Sequence, residues 1–206
     1  MADLLYGPDG PGEHDLRLVG DVAGKRVMEL GCGDGTNAVA LAQLGAVVIA
    51  VDSSAARLAR ARRLADEHEV RVEFRAGDLA DLAFMRADSV DVVFSAYAVD
   101  TVEDSPRVFR QAQRVLKPNT PFVFSHAHPF AACVSEGRLV HSYLDPVPVA
   151  VTRWDETVTV YPRTLSDEYT DLVRAGFRVD AFVEPRLGGG TDLPSMVVWR
   201  ARKEGT

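Results

Sequence analysis

Residues Ala46-Val47-Val48-Ile49-Ala50-Val51 are six apolar positions in a row, with no polar residue at alternate places. A strand with one wet face alternates. An unbroken run of this length reads as a strand covered on both sides, the pattern of a parallel sheet with helices on each face. The flanks agree. Upstream, Val27-Met28-Glu29-Leu30 reads as a strand, and Thr36 or Asn37 opens a helix with apolar Val39, Leu41, Ala42 and Leu44, stopped by Gly45. Downstream, Asp52-Ser53-Ser54 caps a helix to about residue 67, with Leu58, Ala61, Leu64 and Ala65 toward the sheet.

The rhythm continues along the chain. Strands are expected at 70–74, 90–95 and 122–125, a short helix at 79–85, and a helix from Ser105-Pro106 to Leu116 with its proline in the first turn. Residues 127–163 break the alternation with Pro129, Pro146, Pro148 and Pro162 and a strand-like Thr157-Val158-Thr159-Val160-Tyr161. Long insertions of this kind are usually functional, and a lid over the carboxyl edge of the sheet is expected. Thr164-Leu165-Ser166-Asp167 starts a capped helix ending at Ala175-Gly176, and strands follow at 177–184 and 196–201. Gly188-Gly189-Gly190 leaves no room for a crossover helix between these two, so they pair antiparallel. The expected fold is α/β: a doubly wound, seven-stranded, mostly parallel sheet with the last strand antiparallel, in one domain over 1–206. Residues 1–23 form an N-terminal cap segment, with a short helix expected at 14–22 from Leu16, Leu18, Val19 and Val22.

Bulk properties narrow the partners. A net charge of −7 opposes binding to nucleic acid or an anionic membrane surface, and no apolar run approaches the ~20 residues that span a bilayer. Cys32 and Cys133 are too few for a disulfide framework, and the first residues lack the basic and apolar regions of a secretory signal. A cytoplasmic protein, monomer or homodimer, is expected.

Chemistry concentrates in Glu29-Leu30-Gly31-Cys32-Gly33-Asp34-Gly35, between a buried strand and a helix N-terminus. Glycines there let a ligand lie against backbone, although a tight turn alone would also use them. A dinucleotide fingerprint spaces its third glycine one residue further on, and two carboxylates suit a ligand carrying ammonium and sulfonium better than a pyrophosphate.

This loop resembles that of the class I S-adenosylmethionine-dependent methyltransferases, whose form is E/D-x-G-x-G-x-G, and the likeness extends over about 24–203. The resemblance implies a Rossmann-like methyltransferase fold and S-adenosylmethionine as cofactor, released as S-adenosylhomocysteine. It places Glu29, Gly31, Cys32 and Gly33 along the methionine part. Asp52 would take the ribose hydroxyls with Ser53 beside it, though Asp52 also reads as a helix cap. Asp78 and Leu79 would meet the adenine, and Ser95 and Ala96 would pass near the methyl. Two departures stand out: Lys117-Pro118 is followed by Asn119-Thr120 rather than Gly-Gly, and the Asn/Asp-Pro-Pro-Tyr motif of nucleic-acid amino-methylating members is replaced by Ser95-Ala96-Tyr97-Ala98. A small organic acceptor is expected, methylated at O, N, S or C.

Around it, Tyr6 is expected to close over the cofactor, with Tyr97, Tyr143, Trp154 and Tyr161 walling the acceptor or packing beneath the lid. His126, at the end of the fifth strand, is the first choice of base and His128 the second; each also reads as a loop-filling residue. With His141 they offer a metal alternative, but no carboxylate or cysteine lies at convincing spacing, and none is expected to bind. The arginines between 57 and 63 read as a solvated helix face. Rival readings are a methyltransferase for tRNA or protein, a non-catalytic sensor or scaffold binding the same cofactor, and a nicotinamide-dependent oxidoreductase.

Overall fold

The computed structural model describes residues 3–8, 10–135, 138–153, 156–185 and 193–205. The order is α1 (Glu13–Leu16), β1 (Arg26–Leu30), α2 (Thr36–Gln43), β2 (Val47–Asp52), α3 (Ala55–Glu67), β3 (Val72–Ala76), β4 (Val92–Ala96), α4 (Ser105–Val115), β5 (Pro121–Ala127), β6 (Val134–Ser135), β7 (Arg138–Leu139), β8 (Val149–Arg153), β9 (Glu156–Val160), α5 (Leu165–Arg174), β10 (Phe177–Val183) and β11 (Met196–Lys203). Seven strands form one sheet in the order β10-β11-β5-β4-β1-β2-β3. All neighbours up to β5 run parallel, and β11 runs against both β5 and β10. The doubly wound sheet and its antiparallel last strand are as expected. Gly188-Gly189-Gly190 lies outside the described residues.

The unbroken apolar run explains itself in β2. Val48 and Ala50 pack into one core layer, with Val27, Phe94, Val123 and the N-terminal Leu4. Ile49 and Val51 point into the other layer, with Met28, Phe109, Phe122, Phe124 and Trp199. Successive side chains alternate faces, so a strand with helices on both sides needs apolar residues at every position. Among the described residues no helix is long and apolar enough to cross a membrane.

Three local expectations change. The segment 79–85 is a chain of turns rather than a helix: Asp78 and Asp81 side chains capture the amides of Ala80 and Ala83 at 2.8 and 3.1 Å. Such local side-chain bonds compete with the helical ladder. At the N-terminus, α1 stops at Leu16 because Arg17 turns left-handed (φ 52°), and the Glu13 carboxylate collects the amides of Leu18, Val19 and Gly20. The third strand starts two residues late because the Val70 amide donates to Ala65 O (3.0 Å), closing α3. By contrast, the Lys117-Pro118-Asn119 turn tolerates its missing glycine, with Asn119 at φ 63°.

Candidate active site

A cavity of about 650 Å³ opens at the carboxyl ends of β1, β2 and β4. Its floor is the loop from β1 into α2. Gly31 has φ +74°, and a Cβ there would sit 2.0 Å from the Ala98 Cβ; at Gly35 (φ +90°) it would meet the Ala61 Cβ at 2.7 Å. The first glycine lets the loop lie against the chain leaving β4, and the second lets it pass α3. Gly31 and Cys32 amides donate to Val51 O at 2.8 and 3.1 Å, which ties the loop to β2.

Glu29 ends 2% exposed on the wall of this cavity, and its Oε2 has no hydrogen-bond partner among the described residues. Burial, and then the charge of Asp52, push its carboxyl up to about 8. A buried carboxylate without a cation is costly, so the position favours a ligand that brings one. Asp52 accepts from the Gly33 amide (2.9 Å) with Oδ2 and from the Ser54 amide (2.8 Å) with Oδ1. Ser54, not Asp52, caps α3, accepting from the Arg57 amide. A carboxylate offers about four lone-pair sites, so Asp52 keeps capacity for a diol. Cys32, Gly33, Ser53, Asp78, Leu79 and Ala96 also line the cavity. Burial, with Glu29 and Asp52 adding to it, pushes the Cys32 thiol up, so it stays protonated.

The opposite wall comes from distant segments. Tyr97 holds a left-handed backbone (φ 55°), uncommon for a residue with a side chain. Burial pushes its phenol up to about 12, with Arg153 opposing and Asp100 adding. The Arg153 guanidinium, arriving on β8, lies 4.9 Å from the Tyr97 ring centre, donates to Tyr97 O (3.2 Å), and grips Asp100 with both terminal nitrogens at 2.9 and 2.6 Å. Tyr161, just past β9, donates its amide to Asp100 O at 2.8 Å. Further out, Glu156 pairs with Arg57 and Arg60, and Arg60 with Asp34 (2.8 Å). Arg57 and Arg60 are therefore part of the cavity rim rather than a free solvated face.

Several expected site residues stand elsewhere. Tyr6 is fully buried, its ring edge-on to Phe94 (5.7 Å) and its hydroxyl donating to Glu13. Its neighbours Leu5, Gly7 and Pro8 line the cavity instead, and Asn37 holds Leu5 by paired bonds of 2.8 and 3.0 Å. Residue alternation along an extended segment turns the phenol inward. Ser95 is buried and donates to Leu30 O (2.8 Å), joining β4 to β1. Tyr143 accepts from the Leu165 amide (2.8 Å) at the start of α5 and lines neither cavity described here. Trp154 lies outside the described residues.

His126 and His128 line a second cavity, under β8 and β9. Both ring nitrogens of His126 are engaged: Nδ1 donates to Ala127 O (2.9 Å) and Nε2 to the buried Glu168 carboxylate (3.0 Å). Burial opposes its charge, but Glu168 prevails and pushes it up to about 9. With no lone pair to spare, His126 does not fit the base expected of it. His128 accepts from the Phe130 amide (3.1 Å) at Nδ1, its Nε2 lies 2.9 Å from Glu184, and burial pulls it down. It too faces away from the main cavity.

Arg153, Glu156 and Glu168 escaped sequence reasoning, since Arg153 and Asp100 stand 53 residues apart and nothing local joins them. Arg57 and Arg60 did leave a signal: a spacing of three at the start of a helix whose N-terminus faces the strand ends.

A family profile described as a methyltransferase domain matches residues 21–175. The ubiquinone biosynthesis O-methyltransferase of Azorhizobium caulinodans is 31% identical over 81% of this chain, which spans 64% of that relative's length. The protein of the same name from Xanthomonas oryzae pv. oryzae is 31% identical over 75% of this chain and 74% of its own. A solved S-adenosylmethionine-dependent methyltransferase from Mesorhizobium loti superimposes with a TM-score of 0.76 at 29% identity, covering 91% of this chain and 94% of that one.

Proposed function

The chain belongs to the class I S-adenosylmethionine-dependent methyltransferase family, and from that footing we propose that it transfers a methyl group to a small organic acceptor. When bound, S-adenosylmethionine supplies a methyl on positively charged sulfur, so the protein's task is alignment more than activation. Glu29 carries the proposal: a buried carboxylate with an unpartnered oxygen, in a glycine-lined cradle, fits an ammonium group. Asp52 keeps lone pairs for ribose hydroxyls, Asp78 and Leu79 would flank the adenine, and the backbone at Ala96 and Tyr97 would bound the methyl end.

Tyr97, Thr101, Val102, Val158 and Tyr161 form an apolar and aromatic chamber beyond that end. It suits a compact, ring-bearing acceptor, excluding water from the transfer path. The β8–β9 hairpin closes this chamber as a lid, held by Arg153. The names of the two relatives favour oxygen as the atom methylated. Neither histidine is in reach, so an acceptor that arrives already ionised, or loses its proton to water, is preferred.

Calorimetry with S-adenosylmethionine and S-adenosylhomocysteine, followed by labelled-methyl transfer to a panel of small phenols, tests this. Binding of both ligands and label on a phenol are expected. No binding at millimolar ligand would overturn the cofactor assignment, and binding without transfer to any small acceptor would overturn the proposed reaction.

A further inference from the structure

The second cavity has a volume of about 240 Å³ and shares Arg153 and Tyr161 with the first. Besides His128 Nε2, which faces the Glu184 carboxylate at 2.9 Å, two hydrogen-bonding groups on its wall are buried without a partner among the described residues: the Ser105 hydroxyl, on a residue 3% exposed, and Arg163 Nε. Arg163 uses its other nitrogens, one on Asp171 (3.2 Å) and one on Glu103 O (3.1 Å). An arginine Nε–H only donates, and a hydroxyl can donate. A molecule that offers acceptor oxygens would satisfy both.

Charge points the same way. The two carboxylates on the wall are already held, Asp100 by Arg153 and Glu168 by His126. Ser105 is the first residue of α4, an eleven-residue helix whose amino end adds partial positive charge, part of it already met by the Asp104 side chain on the Arg107 amide (3.0 Å). The remaining wall is apolar, with Val99, Val151, Val160 and Pro129. A benzene-sized ligand fits a cavity of about 150 Å³, so this chamber has space for a ring and a polar group.

We propose that this second cavity binds a small organic monocarboxylate, its oxygens on Ser105 Oγ and Arg163 Nε and its apolar body against the valines. The carboxylate belongs either to the acceptor or to a separate small acid that occupies the chamber by itself. The site stands independently of the methyl-transfer reading, because its occupancy is measured without turnover.

The test titrates benzoate into the full chain by calorimetry, with benzamide as the neutral isostere of nearly equal shape. Benzoate should bind at least tenfold tighter than benzamide. Ser105→Ala and Arg163→Gln should each weaken benzoate about tenfold and benzamide, whose single carbonyl oxygen is a weaker acceptor, by clearly less. Equal affinity for the two probes on the wild-type protein overturns the proposal without any variant, as does wild-type benzoate affinity in both substituted proteins. Labelled S-adenosylmethionine with hydroxybenzoates then separates the two sources. Label on a hydroxybenzoate, suppressed by benzoate, identifies the acceptor's own carboxylate; benzoate binding with no such label identifies a separate acid.

Discussion

The cradle at the end of β1 and the chamber under the β8–β9 hairpin each bury a glutamate, and they treat it in opposite ways. Glu29 has an oxygen without a partner, and burial holds its carboxyl near 8, so it waits for a cation from outside. Glu168 is matched from within by His126 at 3.0 Å. On the proposed reading the first arrangement is a binding device, stable enough because the carboxyl can keep its proton until a ligand arrives. The second is a fold device, in which removing one partner strands a charge. The difference teaches that burial of an acid does not by itself mark function; an unsatisfied oxygen on a cavity wall is the more telling observation.

The sharpest break in that contrast is His126→Ala. Stranding Glu168 should cost about 3–5 kcal/mol in urea denaturation. A loss under about 1 kcal/mol would mean that the His126–Glu168 contact is not a fold-stabilising pair. The mirror change, Glu29→Gln, should show its effect in the pH dependence of the ligand-free protein. With a folded value of about 8 against an ordinary 4.5, the protonated Glu29 contributes stability fully present below pH 4.5 and lost as pH rises through 8. The difference in stability between wild type and Glu29→Gln should therefore shift by up to about 4 kcal/mol between pH 4.5 and pH 8, in favour of the variant at the higher pH. Parallel profiles would show Glu29 ionised throughout.

Smaller effects are expected on ligand binding. Both Glu29→Gln and Asp52→Ala should weaken S-adenosylmethionine about tenfold to a hundredfold, the range for losing hydrogen bonds to a charged group. Calorimetric affinities equal to wild type would remove those roles. Smallest of all is Glu156→Gln: it breaks ion pairs to Arg57 and Arg60 at an exposed rim, so cofactor release should quicken by no more than about threefold and only at low salt. A larger, salt-independent change in stopped-flow release would make the hairpin a principal gate.

The cradle was legible because its parts lie close in sequence. Glu29, Gly31, Cys32 and Gly33 fall within five consecutive positions, and Asp52, Asp78 and Ala96 each follow a strand whose end the apolar pattern locates. Tyr6 and Ser95 turn into the core rather than the cavity because one-residue differences in facing decide whether a side chain meets ligand or core. His126 was correctly put at a strand end, but its partner Glu168 lies 42 residues on, on α5.

Local order along the chain thus determined the layered α/β sheet, the reversal at its last strand and the backbone loop for a cationic cofactor. These rest on periodicity, turn geometry and glycine sterics, which act over a few neighbouring residues. Only the folded chain decided that Arg153 clasps Asp100, that His126 spends both nitrogens inside the protein, and that two buried donors share a chamber. Such pairings depend on where insertion, helix and strand ends meet in space, and short-range physics carries no record of that meeting.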